Sequence, residues 1–200
     1  MAESTLCYTP AVSVTHGLAH PVPEGSPGPL NLREKRHDCI QLAGFGQGRE
    51  LAAWLKKMVG VAAAPGAVCT VLDGRARLLG VGPATWLLLS EPGQLNDLPP
   101  LANDEMQAIA AVTDYSDGRS VALELRGPAA IEVLSMHLCI DLDETVFPPG
   151  TCAATGIHAM QVIVIRETSD VFLVLVQRSF AVSLWNTLLD SAAVYGAVIG

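Results

Sequence analysis

From Ser120 to Arg126 apolar and polar side chains alternate, with Val121, Leu123 and Leu125 on one side and Ala122, Glu124 and Arg126 on the other. A period of two predicts a strand with one buried face. Gly127-Pro128 stops it, and Pro128 suits the first turn of a helix, where a missing N–H costs nothing. Ile131, Leu134 and Leu138 then recur at helical spacing, so a helix is expected from Pro128 to Met136. Ahead of the strand, Ser116-Asp117-Gly118 reads as a turn, because Asp bonds its own backbone and Gly tolerates positive φ. Further strands are expected at 150–157, 160–166 and 171–176. A helix from Ser179 to about Ala193 follows, with Ser179 as its N-cap. Its buried stripe is Ala181, Leu184, Trp185, Leu188, Leu189 and Ala192.

The stretch before this unit carries a similar plan. Ile40 and Leu42 predict a short strand, Gly44-Phe-Gly-Gln-Gly a turn, and Leu51, Trp54, Leu55 and Met58 a helix closing near Gly60. Strands at 68–72, 75–81 and 86–90 follow, with Asp73-Gly74 as a hairpin turn. Residues 92–100 read as a loop, and a short helix at 104–110 leads back to Asp114. Thr85-Trp-Leu-Leu-Leu in this half answers Val171-Phe-Leu-Val-Leu in the other. The repeat predicts one α+β domain over residues 31–200. It would be built from two related α+β halves with antiparallel sheets, about 38–115 and 116–200. Residues 1–30 hold Pro10, Pro21, Pro23, Pro27 and Pro29, and read as an extended arm that cannot hold a regular ladder.

Composition narrows the function. The chain is 50% hydrophobic and 16% charged, more apolar than a free-standing cytosolic domain usually is. An Ala- and Val-rich core would explain this, but a surface permanently covered by a partner explains it better, since obligate interfaces resemble a core cut in half. A net charge of −8 with scattered Lys and Arg argues against nucleic acid. The longest apolar runs, such as Val171 to Val176, are strand-length, and no basic region followed by an apolar one opens the chain. The expectation is a soluble cytoplasmic protein with no membrane contact.

No catalytic constellation emerges. Gly44, Gly46 and Gly48 give G-x-G-x-G rather than G-x-G-x-x-G, with no acidic residue closing a second strand, so they read as a plain connection. The five cysteines, Cys7, Cys39, Cys69, Cys139 and Cys152, are widely spaced without a C-x-x-C pair and read as small buried hydrophobes. His16 and His20 lie among prolines and do not read as ligands. His137 and His158 each stand alone. Asp141, Asp143 and Glu144 read as a solvated turn. Asp114, Asp117 and Arg119 are placed to form a local ion pair that fixes the turn. Arg178, ahead of a helix N-terminus, is disfavoured by the helix dipole and is expected to pair with an acid here or on a partner. Arg119, Arg178 and Ser179 are the candidate partner contacts; no residue is assigned to catalysis, a cofactor or a metal.

Four segments in order carry a resemblance: Asp114-Tyr-Ser-Asp-Gly-Arg; Leu125-Arg-Gly-Pro-Ala-Ala; Asp141-Leu-Asp with Phe147-Pro-Pro-Gly-Thr-Cys; and Arg178-Ser-Phe-Ala-Val-Ser-Leu-Trp. Weaker echoes are Leu32-Arg-Glu-Lys-Arg and Leu79-Gly-Val-Gly-Pro-Ala-Thr-Trp. The chain resembles gamma subunits of heterotetrameric sarcosine oxidases, small members of the aminomethyltransferase (glycine-cleavage T-protein) superfamily, and the resemblance implies its folate-binding-like fold, two related ferredoxin-like halves with antiparallel sheets sharing a core. The resemblance implies a non-catalytic subunit docking mainly on the large alpha subunit, beside beta and delta. The complex would oxidatively demethylate sarcosine to glycine, giving hydrogen peroxide and formaldehyde or methylenetetrahydrofolate. FAD, FMN, NAD, zinc and tetrahydrofolate would sit in other subunits. In the aminomethyltransferases a Gly-Gly-Ile-x-Asp-Asp segment supplies the acid that holds folate. Here the segment around Gly156-Ile-His-Ala places Met160 and Gln161 where the two aspartates would be, and neither can act as a general base. Two alternatives are a small subunit of a related complex, such as N-methylglutamate dehydrogenase, and a stand-alone folate-binding protein.

Overall fold

The computed structural model describes residues 17–95, 104–116 and 120–200. Its strands are β1 (Gly17–His20), β2 (Leu30–Lys35), β3 (Asp38–Gly44), β4 (Val68–Val71), β5 (Ala76–Gly82) and β6 (Thr85–Ser90). These are followed by β7 (Ala110–Asp114), β8 (Ser120–Arg126), β9 (Thr151–Ile157), β10 (Met160–Thr168), β11 (Val171–Gln177) and β12 (Ala197–Ile199). The helices are α1 (Arg49–Val59), α2 (Asp104–Ile109), α3 (Ala130–Ser135) and α4 (Ala181–Ala192). One sheet has seven strands in the order β1-β12-β2-β8-β11-β10-β9, and the other five in the order β4-β5-β6-β3-β7. All pairings are antiparallel except β12 with β2.

The alternation along the strands sorts side chains into three cores. Leu42, Trp86 and Leu88 pack with Leu51 and Leu55 of α1 and Met106 of α2. Val121, Leu123, Phe172 and Val174 pack with Leu134 of α3 and with Leu184, Trp185 and Leu188 of α4. The intervening positions, including Leu87, Leu89, Ala122, Ile165, Leu173 and Leu175, meet between the sheets. Helices, sheet, sheet, helices: each sheet is covered on both faces. Both strands of the rhyming text, β6 and β11, are therefore buried on both sides. Full burial of each such Leu or Ile contributes about 1.5–3 kcal/mol.

This arrangement corrects several expectations. β8 has two buried faces rather than one, with Ala122 fully buried and Glu124 only 2% exposed. Much of the apolar composition is thereby used inside the chain, because a sheet pressed between helices and a second sheet needs apolar residues at every position. Gly17–His20 forms a ladder with β12, although Pro-rich flanks argued against one, because the prolines at 21, 23, 27 and 29 fall between β1 and β2 or at the edge of β2. Residues 1–16, with Cys7 and His16, lie outside the described residues. The helix expected at Ser179 opens instead as a 3-10 turn, Arg178–Phe180, and α4 has Phe180 at its N-cap with no side-chain cap bond. Ser179 lies inside that turn and so is not the cap. Pro128 likewise sits in the turn before α3 rather than in its first turn.

Two glycines are set by geometry. Gly127, between β8 and α3, has φ +122°, and a Cβ there would stand 2.5 Å from the Pro29 carbonyl oxygen. Gly48, before α1, has φ +67°, and its Cβ would lie 2.7 Å from that of Ala84. The Gly44–Gly48 turn is thus a packed connection. On one side the sheets are stitched together: Val68 N–H donates to Gly150 O at 3.0 Å and Cys152 N–H to Gly66 O at 2.8 Å. Among the described residues no helix is long and apolar enough to cross a membrane.

Candidate functional site: the cleft between the sheets

Away from the stitched side, the two sheets part into a cleft of about 530 Å³. Its walls are set by strand register. Cys39 and Gln41 come from β3, Leu87 from β6, Gln161 and Ile163 from β10, and Leu175 and Gln177 from β11. Thr155 and Gly156 of β9, Ser120 of β8 and Tyr115 complete the polar lining. The volume falls within the range of small-molecule sites, and the polar groups are chiefly amides and hydroxyls.

Among the described lining residues there is no carboxylate, lysine or histidine. Burial, with the Asp114 charge adding to it, pushes the Cys39 thiol up to about 12, which leaves essentially no thiolate near neutral pH. Met160 belongs to the core between the large sheet and its helices, whereas Gln161 lines the cleft. Of the two positions singled out in the sequence, period-two alternation thus presents only 161 to the cavity. An amide there can donate and accept hydrogen bonds but cannot take a proton.

The loop beside the cleft is held by local bonds. The Ser120 hydroxyl donates to Tyr115 O at 2.6 Å. A hydroxyl has one proton, so His37 Nε2–H donates to Ser120 Oγ, at 2.8 Å. Cys39 N–H donates to Ser116 Oγ at 3.0 Å, and Ser116 N–H to Asp114 Oδ1 at 2.9 Å. Asp117 and Arg119, expected to form an ion pair in this loop, lie outside the described residues. Arg178 is half-buried and Ser179 exposed, both at the start of the turn into α4.

The remaining sequence candidates take structural places. Asp143 Oδ1 accepts from Thr145 N–H at 2.9 Å and Asp141 Oδ1 from Asp143 N–H at 2.9 Å, a self-bonded, exposed turn. His137 and His158 do not stand alone, since their rings meet edge to face with centroids 5.5 Å apart. Twenty residues of intervening chain hid that contact from sequence reading. His137 Nε2–H donates to Ser191 Oγ at 2.7 Å, while Ser191 donates to Thr187 O. Burial and the neighbouring His158 hold the His137 pKa below the usual 6.5. Cys39 and Cys152 are buried, Cys69 partly so, and Cys139 is exposed; all are free. No group of three or more metal-ligating side chains comes together among the described residues.

The profile of the "Sarcosine oxidase, gamma subunit family" matches residues 46–194 of the chain. Among solved structures, the chain is similar to one in heterotetrameric sarcosine oxidase from Corynebacterium sp. U-96 in complex with pyrrole 2-carboxylate. That match has 26% identity and a TM-score of 0.67, covering 83% of this chain and 85% of the other. It is also similar to the glycine cleavage system aminomethyltransferase T of Bartonella henselae, at 16% identity and a TM-score of 0.57. This second match covers 87% of this chain and 48% of that one, and it speaks to the fold alone. No curated protein matches the chain in sequence.

Proposed function

Because the chain belongs to the sarcosine oxidase, gamma subunit family, we propose that it is the non-catalytic gamma subunit of a heterotetrameric sarcosine oxidase. In this reading the chain docks on the large alpha subunit, and the flavin, NAD, zinc and folate chemistry belongs to other subunits. The observation that carries the non-catalytic part is the cleft itself. The fold supplies a cavity of substrate size, yet the residue that faces it at the position the resemblance matches to a folate-holding aspartate is Gln161, and the one thiol in the lining is held protonated. Family membership supports the complex, and the neutral lining supports a role without chemistry of its own. Arg119, Arg178 and Ser179 remain our candidates for the docking surface, which the Phe180 and Val182 side chains, 39% and 52% exposed, would extend with apolar area. The protein would then work in the cytoplasm, as part of a sarcosine-demethylating flavoprotein.

The test is co-expression with the genes encoding its prospective partners, followed by gel filtration with absorbance detection. Co-elution with a yellow complex that oxidises sarcosine is expected, with activity unchanged by Gln161→Ala. A chain that stays alone under these conditions would overturn the subunit reading. A second reading, a free-standing folate-binding protein, draws on the same cleft. Calorimetric titration of the isolated chain with tetrahydrofolate separates the two, and tight 1:1 binding would favour this alternative.

A further inference from the structure

Outside the cleft, the fold sets His137 and His158 side by side on firmly anchored backbone. His137 follows α3, and its N–H donates to Leu134 O at 3.0 Å. Leu138, the next residue, is buried in the core between the seven-stranded sheet and its helices. His158 stands in the two-residue turn that joins β9 to β10, where Ile157 faces Met160. Both of those neighbours are buried in the same core. The imidazoles lie at the surface above it, His137 half-buried and His158 exposed. His158 also has φ +52°, a left-handed conformation uncommon for any residue with a side chain.

Ser191 decides which nitrogen of His137 is bare. A hydroxyl has one proton, and Ser191 donates it to Thr187 O at 3.0 Å. Its oxygen therefore accepts the Nε2–H of His137 at 2.7 Å, and Nδ1 keeps its lone pair, with no hydrogen-bond partner among the described residues. The His158 ring makes no hydrogen bond among the described residues. Metal-binding histidines are commonly fixed in this way, by a hydrogen bond from the nitrogen that does not ligate. An imidazole must also be neutral to ligate, and burial together with His158 holds the His137 pKa below 6.5. The spacing fits as well. With metal–nitrogen bonds of about 2.0–2.1 Å, two imidazoles on one tetrahedral ion have ring centres roughly 5 Å apart, and these centroids are 5.5 Å apart.

We propose that His137, through Nδ1, and His158 together bind a divalent transition-metal ion of the zinc or cobalt type, with water in the remaining positions. Imidazole nitrogen suits such ions, whereas magnesium and calcium take oxygen ligands. The ion would clip the β9–β10 turn to the end of α3. Gly156 and Gln161, which line the cleft, lie two and three residues from His158, so occupancy would stiffen one wall of the cleft. The site stands whether or not the chain is an oxidase subunit.

Calorimetric titration of the tag-free full chain with Zn2+ tests this, and Co2+ provides a visible spectrum of the same site. Saturable 1:1 binding is expected, with a melting temperature that rises with Zn2+ and no binding of Mg2+. The Co2+ spectrum should show ligand-field bands without thiolate charge transfer. His158→Asn, at an exposed turn whose left-handed backbone Asn tolerates, should weaken Zn2+ binding about tenfold or more and remove the thermal shift. His137→Gln should do the same. His20→Gln and Cys139→Ser, the latter removing the exposed thiol two residues beyond His137, should each leave binding within about twofold. Absence of saturable binding, unchanged affinity in His158→Asn, or loss of binding in Cys139→Ser would overturn the proposal.

Discussion

The seven-stranded sheet buries two charges, and it satisfies them in opposite ways. Glu124 on β8, its side chain 3% exposed, is surrounded by three cations reaching in from partly exposed positions: Arg33 and Lys35 of β2 and its strand neighbour Arg126. Arg166 on β10, 1% exposed, is held chiefly by backbone. Its Nη1 donates to Leu142 O and Phe147 O, each at 2.9 Å, its Nη2 to Ser169 O at 2.8 Å and its Nε to Thr168 O at 3.2 Å. Phe172 lies beneath the guanidinium at 5.3 Å, and the nearest carboxylate, Glu144, is 3.5 Å away and mostly exposed. Glu124 is neutralised by charge, whereas Arg166 is solvated by carbonyls. The first arrangement titrates and responds to salt. The second folds a loop around itself.

Removing Arg166 is therefore the larger perturbation. Arg166→Met keeps the length of the side chain but strands the carbonyls that end the 141–150 loop. We expect a loss of about 3–5 kcal/mol in urea unfolding, with proteolytic cleavage appearing between 141 and 150. A loss below about 1 kcal/mol would mean that the Asp143 turn holds the loop unaided. Glu124→Gln should cost less, about 1–2 kcal/mol, because Arg33 and Arg126 can turn into solvent once the carboxylate is gone. Added salt should recover part of that loss and none of the Arg166→Met loss.

A pH titration sharpens the contrast. Burial pushes the Glu124 pKa up, but the Arg33 hydrogen bond and the charges of Lys35, Arg33 and Arg126 outweigh it and hold it below the usual 4.5. A depressed carboxylate contributes stability that is present above the unfolded-state value and is lost as pH falls through the folded one. Wild type and Arg166→Met should both lose stability on acidification below pH 4.5, while Glu124→Gln should show a shallower slope. A slope unchanged in Glu124→Gln would assign the acid sensitivity to other carboxylates, Asp143 among them. The smallest effect belongs to His137, which is held neutral by burial and by His158. Its contribution is present above pH 6.5 and declines as pH falls toward the folded-state value. His137→Gln should flatten that part of the profile, read as melting temperature against pH.

Legibility followed the range of the interactions. The strand and helix cores were readable because alternation and 3.6-residue spacing are local signals, so α1 and its Gly60 stop, the Asp73-Gly74 hairpin and the α4 stripe all stand where the pattern put them. β1, β2, β7 and β12 were not read as strands: each is short, and its partners lie far off in sequence. The absence of an acid at 160 and 161 was legible; that only 161 faces the cleft was not. The cleft could not be read directly, because it is lined by strands drawn from both halves of the chain.

By itself the sequence determined the periods, the turns and the order of segments that marks the family, since each depends on residues close enough to constrain one another's backbone. Only the tertiary structure decided what the second face of each strand meets. Ala122 and Leu173 could be read as solvent-facing until the five-stranded sheet covers them. Nothing in the sequence marks Glu124 and Arg166 as buried; cross-strand cations and loop carbonyls close over them only in the folded chain. A polar side chain in a strand is compatible with water or with burial, and its partners, distant in sequence, choose between the two.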